Sequence, residues 1–70
     1  MLRNNVREFR EKRKLTQSQL ANAIQVSRQT IHSIENNNAV PTVEIAIKMA
    51  MAMKTRVERL FSIPSQQGGR

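Results

Sequence analysis

The chain lacks the residue types on which several common classes of site depend. It has no cysteine, which excludes disulfides, iron–sulfur clusters and thiolate zinc sites, and its single histidine is too little for another metal site. It has no tryptophan or tyrosine and only two phenylalanines, so the aromatic platforms that stack on unpaired bases are missing. We therefore expect no metal and no other cofactor.

Long apolar segments are also missing. The longest largely apolar run, AIKMAMAM at residues 46–53, is much shorter than the ~20 residues that span a bilayer, and it contains a lysine. The first ten residues, MLRNNVREFR, lack the apolar core of a signal peptide. These features predict a soluble, cytoplasmic protein that makes no use of a membrane.

Positive charge, in contrast, is in excess. Twelve lysines and arginines oppose five acidic residues, which gives a formal net charge of +7 and a pI near 11.6. A polyanion is the expected partner of such a chain, although many small basic domains are merely soluble. Because the stacking aromatics are missing, duplex DNA is favoured over RNA.

Apolar spacing and capping residues predict one all-α domain over residues 1–63, with a disordered tail at 64–70. Thr16 and Gln19 match a capping box, and Ser27 and Thr42 are good N-caps for the helices that follow them. The predicted helices are residues 4–14, 16–24, 27–36, 42–53 and a short one at about 57–61.

The third predicted helix has distinct apolar and polar sides. Thr30, Ile31 and Ile34 lie on the apolar side, and an arc of roughly 140° on the other side is polar. Two short helices joined by a turn of about three residues, the second with an uncharged polar face, are typical of a helix-turn-helix. The polar arc consists of Arg28, Gln29, His32, Ser33 and Asn36.

The fourth predicted helix is apolar over more than half of its circumference, as a central core helix requires. Lys48 and Met51 are expected to lie outside the core. Its predicted core residues are Val43, Ile45, Ala46, Met49, Ala50, Ala52 and Met53.

The segment RKLTQSQLANAIQVSRQTIHSIENNNAVPTVEIAIKMA closely resembles the helix-turn-helix of Cro/CI-type (Xre-like) regulators of bacteria and phages. The most specific parts are LTQSQLA, VSRQTI, IEN, the proline before the fourth helix and VERLF, within about residues 4–61. The resemblance implies a compact five-helix bundle without enzyme activity. It also implies a homodimer that binds a pseudo-palindromic operator in double-stranded DNA and acts as a transcriptional regulator, more often a repressor.

The resemblance also indicates which side chains contact the bases of the DNA. It implies that Arg28, Gln29 and Ser33 are the main base-contacting residues, and their side chains suit this role. Arginine bonds guanine O6 and N7 together, and glutamine bonds adenine N6 and N7 together. His32 either donates to a phosphate or a guanine, or is a bystander on a solvated face.

Contacts to the DNA backbone are implied at four further positions. Gln17 corresponds to a phosphate anchor at the start of the second helix, where the positive end of the helix dipole helps. Ser27 caps the recognition helix and is a candidate phosphate contact. Asn36 and Asn38 correspond to the loop along the groove wall, with a simple helix stop as the alternative interpretation of the asparagine run.

The resemblance implies one ion pair and three unusual turns. Arg10 and Glu35 match positions that pair the first helix with the end of the third, which explains an arginine on an inward face. Gln25, Asn37 and Lys54 stand where the family commonly has glycine. Either these turns differ from the family or the domain accepts left-handed non-glycine residues, at about 1 kcal/mol or more each.

Alternatives remain for the assembly and for the function. The candidate dimer contacts are Met51, Met53, Leu60, Phe61 and Ile63, and the chain ends 1–3 and 61–63 are an alternative small β-ribbon. A different functional class is an antitoxin or another module that binds a partner protein and uses DNA binding for autoregulation. An enzyme is disfavoured, because Glu35 and His32 have no nucleophile or metal set beside them.

Overall fold

The computed structural model describes residues 2–64 of the chain. Within this range an antiparallel two-stranded ribbon pairs Arg3 with Ser62 and Asn4 with Phe61. The remaining elements are helices, so the predicted all-α helix-turn-helix fold is confirmed. In chain order the elements are β1 (Arg3–Asn4), α1 (Val6–Lys12), α2 (Gln17–Ile24), α3 (Arg28–Glu35), α4 (Val43–Ala52), α5 (Val57–Leu60) and β2 (Phe61–Ser62).

The ribbon changes the predicted ends of the bundle. Asn4 lies in β1 and not in the first helix, because the N–H of Asn5 donates to the carbonyl of Leu60 at 2.8 Å and keeps this segment beside β2. Phe61 likewise begins β2 and does not continue α5. The ribbon alternative is therefore confirmed, although its strands are Arg3–Asn4 and Phe61–Ser62 where residues 1–3 and 61–63 were predicted. The predicted disorder beyond residue 64 lies outside the described residues.

Side-chain caps set the starts of α2, α3 and α4. The hydroxyls of Thr16, Ser27 and Thr42 accept hydrogen bonds from main-chain N–H groups three residues later, at 3.0–3.1 Å. Gln19 Oε1 also accepts from the N–H of Thr16 at 2.8 Å, which completes the predicted capping box. Each cap is worth about 1 kcal/mol, so the polar residues at these boundaries stabilise short helices directly.

The first four helices end in the same unusual way. Each is followed by a left-handed residue that is not glycine, with φ between 55° and 61°. In each turn the next N–H donates to the carbonyl five residues earlier, at 2.8–3.0 Å, which is a Schellman motif. The domain thus keeps the turn geometry and accepts the strain, more mildly at asparagine than elsewhere. The four residues are Lys14, Gln25, Asn37 and Lys54.

The core lies between helices α1 to α5, and β2 contributes Phe61 to it. Met53, Leu60 and Phe61 were candidates for a dimer contact, and this prediction is wrong because α5 and β2 fold back and bury them. Val43 was predicted to lie in the core, and it is 76% exposed at the first turn of α4. The fully buried large side chains are Val6, Leu20, Ile31, Met49, Met53 and Leu60. No helix within residues 2–64 is long and apolar enough to cross a membrane.

Candidate nucleic-acid interface

The two central helices form a rigid helix-turn-helix unit. The turn between them contains Gln25 in the left-handed conformation, and the N–H of Val26 donates to the carbonyl of Ala21 at 2.9 Å. Ile31 and Ile34 of α3 are 0% and 2% exposed and pack with the buried side chains of α2. This packing determines which side of α3 faces away from the bundle.

The polar residues of α3 lie together on that outward side. Arg28, Gln29 and His32 are exposed, and Ser33 is partly exposed. Gln29 Nε2 donates to Ser33 Oγ at 3.3 Å, one helical turn further along. The structure therefore brings the residues with predicted base contacts onto one continuous surface.

The predicted backbone-contacting residues lie at the two ends of this surface. Ser27 Oγ accepts from the N–H of Thr30 at 3.1 Å and shares a hydrogen bond with the Thr30 hydroxyl at 2.9 Å. Asn38 lies in the loop after α3, with an exposed side chain and its N–H bonded to the carbonyl of Ser33 at 2.8 Å. Both residues are thus held in place by hydrogen bonds within the protein.

Behind the polar face, the carboxylate of Glu35 is fully buried and accepts hydrogen bonds from three side chains. Arg10 Nε donates to Glu35 Oε2 at 2.7 Å, and Arg10 Nη2 donates to Oε1 at 3.3 Å. Gln17 Nε2 donates to Oε1 at 3.0 Å, and Arg7 Nε does so at 3.4 Å. Arg10 Nη1 also donates to the carbonyl of Leu15 at 2.7 Å, so this guanidinium joins α1, the α1–α2 loop and α3.

The protonation of Glu35 reflects opposing effects. Burial alone raises the pKa of this carboxyl, but the hydrogen bonds from Arg10 and Gln17, with the charge of Arg10, bring the pKa below its ordinary value. The hydrogen bond to Glu35 in turn raises the pKa of Arg10 above its ordinary value. The pair is therefore ionised at neutral pH, and neither charge is left uncompensated.

Gln17 connects this buried pair to the outward face of α3. Its Nε2 donates to Glu35 Oε1 at 3.0 Å, while its Oε1 accepts from Arg28 Nη1 at 3.1 Å. Both ends of the Gln17 amide are thus engaged within the protein. The guanidinium of Arg28 is consequently positioned by a chain of hydrogen bonds that ends at a buried carboxylate.

The model of the helix-turn-helix family matches residues 6–60 of the chain, which include all five helices of the described part. The chain belongs to this family. The family is of the Xre/Cro-CI type, in agreement with the resemblance seen in the sequence.

Relatives of similar length occur in archaea and bacteria. The chain is 35% identical over 66 residues to an uncharacterised HTH-type transcriptional regulator of Archaeoglobus fulgidus, with 94% of each chain covered. It is 35% identical over 60 residues to one of Methanocaldococcus jannaschii and 32% identical over 60 residues to one of Bacillus subtilis. These two matches each cover 86% of this chain and 91% of the relative.

The C-terminal end of α3 has a second set of contacts, from residues that sequence reasoning did not single out. Asn4 Nδ2 donates to the carbonyl of Ile34 at 3.0 Å and to Asn37 Oδ1 at 2.9 Å. Arg7 Nη2 donates to Asn36 Oδ1 at 3.2 Å. No local signal in the sequence indicated Asn4 and Arg7, because these partners lie 29 to 33 residues away.

The side chains of His32 and Asn36 lie together on this helix-turn-helix unit. Asn36 Nδ2 is 3.2 Å and 3.3 Å from the two ring nitrogens of His32 and donates to the His32 carbonyl at 3.0 Å. Because Asn36 also accepts from Arg7, the exposed imidazole is linked to α1. His32 thus has neighbours that can orient it, whichever of its two predicted roles applies.

Cations are unevenly distributed around the polar face. Residues 29–47 contain no lysine or arginine, so neither α3 beyond Arg28 nor the loop after α3 contributes a positive side chain. Residues 3–14, in contrast, contain Arg3, Arg7, Arg10, Lys12, Arg13 and Lys14. Of these cations, Arg7 and Arg10 reach the C-terminal end of α3, where both donate to Glu35.

Proposed function

We propose that the chain is a sequence-specific transcriptional repressor that acts in the cytoplasm and binds duplex DNA as a homodimer, with α3 in the major groove. The observation that supports this most strongly is the outward face of α3. It combines exposed side chains suited to base edges with an arginine that Gln17 and Glu35 already position. Membership of a family of HTH-type transcriptional regulators supports the same proposal.

Base contacts are assigned to the first half of α3. Arg28 uses one Nη1 hydrogen to bind Gln17, which leaves most of its five N–H donors for guanine O6 and N7. Gln29 can bond adenine N6 and N7 together, and Ser33 can support it through their existing contact. A bidentate contact of this kind discriminates by about 1–3 kcal/mol.

Phosphate contacts are assigned to helix ends and the adjoining loops. The side chain of Gln17 is already bonded to Glu35 and Arg28, so we assign its phosphate contact to the main-chain N–H. The first N–H groups of a helix have no intrahelical acceptor and lie at the positive end of its dipole. Ser27, Asn36 and Asn38 would border the phosphates on the α3 side.

Dimerisation would allow two α3 helices to contact two half-sites. For a pseudo-palindromic operator the half-sites are separated by about 34 Å, one turn of DNA, or by a multiple of this distance. Repression would follow if the bound dimer blocks the transcription machinery at a promoter. No enzymatic step is needed in this scheme.

The proposal is tested by selecting bound duplexes from a random pool and sequencing them. We expect an enriched motif with two-fold symmetry and a spacing of one or two helical turns. A pool with no enriched motif would contradict sequence-specific binding.

A competition experiment separates duplex DNA from RNA as the ligand. We expect that a selected duplex resists displacement by single-stranded or A-form RNA of equal length. If RNA displaces the duplex at similar concentrations, the major-groove assignment fails, because the deep, narrow major groove of A-form RNA does not admit these side chains.

A further inference from the structure

A row of apolar side chains lies exposed along α4. Val43, Ile47 and Met51 follow one another at intervals of four residues and are 76%, 47% and 73% exposed, so they share one face of the helix. Val40, just before the helix, is 77% exposed. We call these four residues the α4 stripe. None of the four belongs to the core cluster, and a contiguous exposed apolar patch is typical of an interaction site.

The charge around the α4 stripe favours a second copy of the chain as that surface. The chain has a net charge of +7, so two copies repel each other over most approaches. Residues 36–51, however, contain only Glu44 and Lys48 as charged residues, and these form an ion pair at 3.1 Å. Two copies can meet here without repulsion, whereas an acidic partner would be attracted to other parts of the chain.

The shape next to the α4 stripe is also suited to a reciprocal contact. Met51 borders an open groove of about 450 Å³, whose other walls include Leu15, Ile24 and Gln25. Ile47 lies midway between Val43 and Met51. A two-fold axis at Ile47 would place the Val40–Val43 end of each copy against the Met51 end of the other, beside its groove.

We propose that two copies of the chain associate through the α4 stripe, antiparallel about Ile47. The inference rests on the homodimer of the proposed function and adds its contact surface. The four side chains and the groove supply only part of the ~800 Å² per partner of a standard interface. The free dimer is therefore weak, with a dissociation constant on the order of micromolar, and adjacent half-sites on DNA strengthen it.

Sedimentation equilibrium of the full chain tests the surface directly. Ile47→Glu places a charge at the proposed axis, and we expect it to raise the dissociation constant at least ~10-fold. Asn22→Glu is the control, because it adds the same charge at an exposed position of α2 that lies outside the stripe. A wild-type chain that stays monomeric up to millimolar concentration would overturn the proposal and leave the stripe to a different partner. An equal effect of both variants would overturn it as well.

Cysteine cross-linking tests the arrangement, since the chain has no cysteine of its own. A residue on a two-fold axis lies next to the same residue of the other copy, so Ile47→Cys should oxidise to a disulfide-linked dimer at low concentration. Asn22→Cys, at an exposed position outside the stripe, should not. Disulfides require Cβ atoms about 4 Å apart, which makes the result specific. Failure of Ile47→Cys to cross-link, in a chain whose circular dichroism is unchanged, would exclude an axis at this residue.

DNA binding distinguishes this proposal from the function on which it rests. Ile47→Glu should bind a duplex with one half-site as wild type does and should lose affinity for the two-half-site operator. Met51→Lys is a second variant in case Ile47→Glu disturbs folding. If wild type binds no duplex selectively but the stripe variants still abolish dimers, the function fails and the interface stands.

Discussion

Helices α3 and α4 each bury one face and leave another outside, and the two outer faces differ. On α3 the outer residues are polar and bond to each other or, through Gln17, to buried Glu35. On α4 the outer residues are apolar, beside a single surface ion pair. The two faces suit the two contacts proposed above, DNA at α3 and a second copy of the chain at α4. The α3 face presents hydrogen-bonding groups, which depend on direction. The α4 face presents apolar surface area, whose burial is favourable in any orientation.

The largest effect is expected behind the α3 face. Glu35→Gln leaves the largely buried guanidinium of Arg10 without its counter-charge, and breaking such a pair costs roughly 3–5 kcal/mol. Thermal and urea unfolding would measure the loss. Glu8→Gln, at an exposed position of α1, is the control and should change stability by less than about 0.5 kcal/mol. An unchanged Glu35→Gln midpoint would remove the structural role of the pair.

The two sides of α4 should differ almost as strongly. Met49 is fully buried and Met51 is 73% exposed, so Met49→Ala should cost about 2–5 kcal/mol and Met51→Ala less than about 0.5 kcal/mol. For this comparison, urea unfolding is measured at protein concentrations well below the dissociation constant of the dimer, so that only the monomer is present. Equal losses would mean that the exposed side of α4 is part of the core.

Acid should lower the free energy of unfolding through protonation of Glu35, at the end of α3. The native pKa of Glu35 lies below its ordinary value, so its contribution to stability is fully present above about pH 4.3 and disappears as the pH falls through the native pKa. The free energy of unfolding, measured between about pH 7 and pH 3, should fall more steeply for wild type than for Glu35→Gln. Parallel curves for the two proteins would contradict this linkage.

The smallest effect is expected at the turn that precedes α3. Gln25 has φ of 60°, where glycine is favoured, so Gln25→Gly should stabilise the domain by about 1 kcal/mol. Asn37→Gly is the comparison at φ of 61° and should gain less, because asparagine tolerates this conformation. Chemical unfolding measures both. A destabilised Gln25→Gly would show that the glutamine makes a favourable contact of its own.

Much of the α3 side could be predicted from the sequence. The capping residues Thr16 and Ser27 and the apolar positions Ile31 and Ile34 are local signals, and they determine which side of α3 faces outward. The DNA contacts assigned to that side remain predictions. The hydrogen bonds by which Gln17 links Arg28 to Glu35 were not evident, because these partners lie 11 and 18 residues from Gln17 in the sequence.

The α4 side was predicted less well, for physical reasons. Apolar residues over more than half of a helix identify it as central but do not show which part its neighbours cover, and Val43 was misplaced on that account. The return of α5 and β2, which buries Phe61, depends on pairing with a two-residue strand that has no alternation to detect. The sequence therefore offered this ribbon only as an alternative, and it did not show that the ribbon buries Phe61.

The central claim is that α3 distinguishes base sequences, and Gln29→Ala tests it most directly. The affinities of wild type and variant are compared for the selected operator and for unrelated duplexes over a range of salt. Asn22→Ala, exposed on α2, is the control. We predict that Gln29→Ala loses about 1–3 kcal/mol of discrimination per half-site while salt-dependent non-specific binding stays unchanged. An equal loss of affinity for all sequences, or none, would contradict the account.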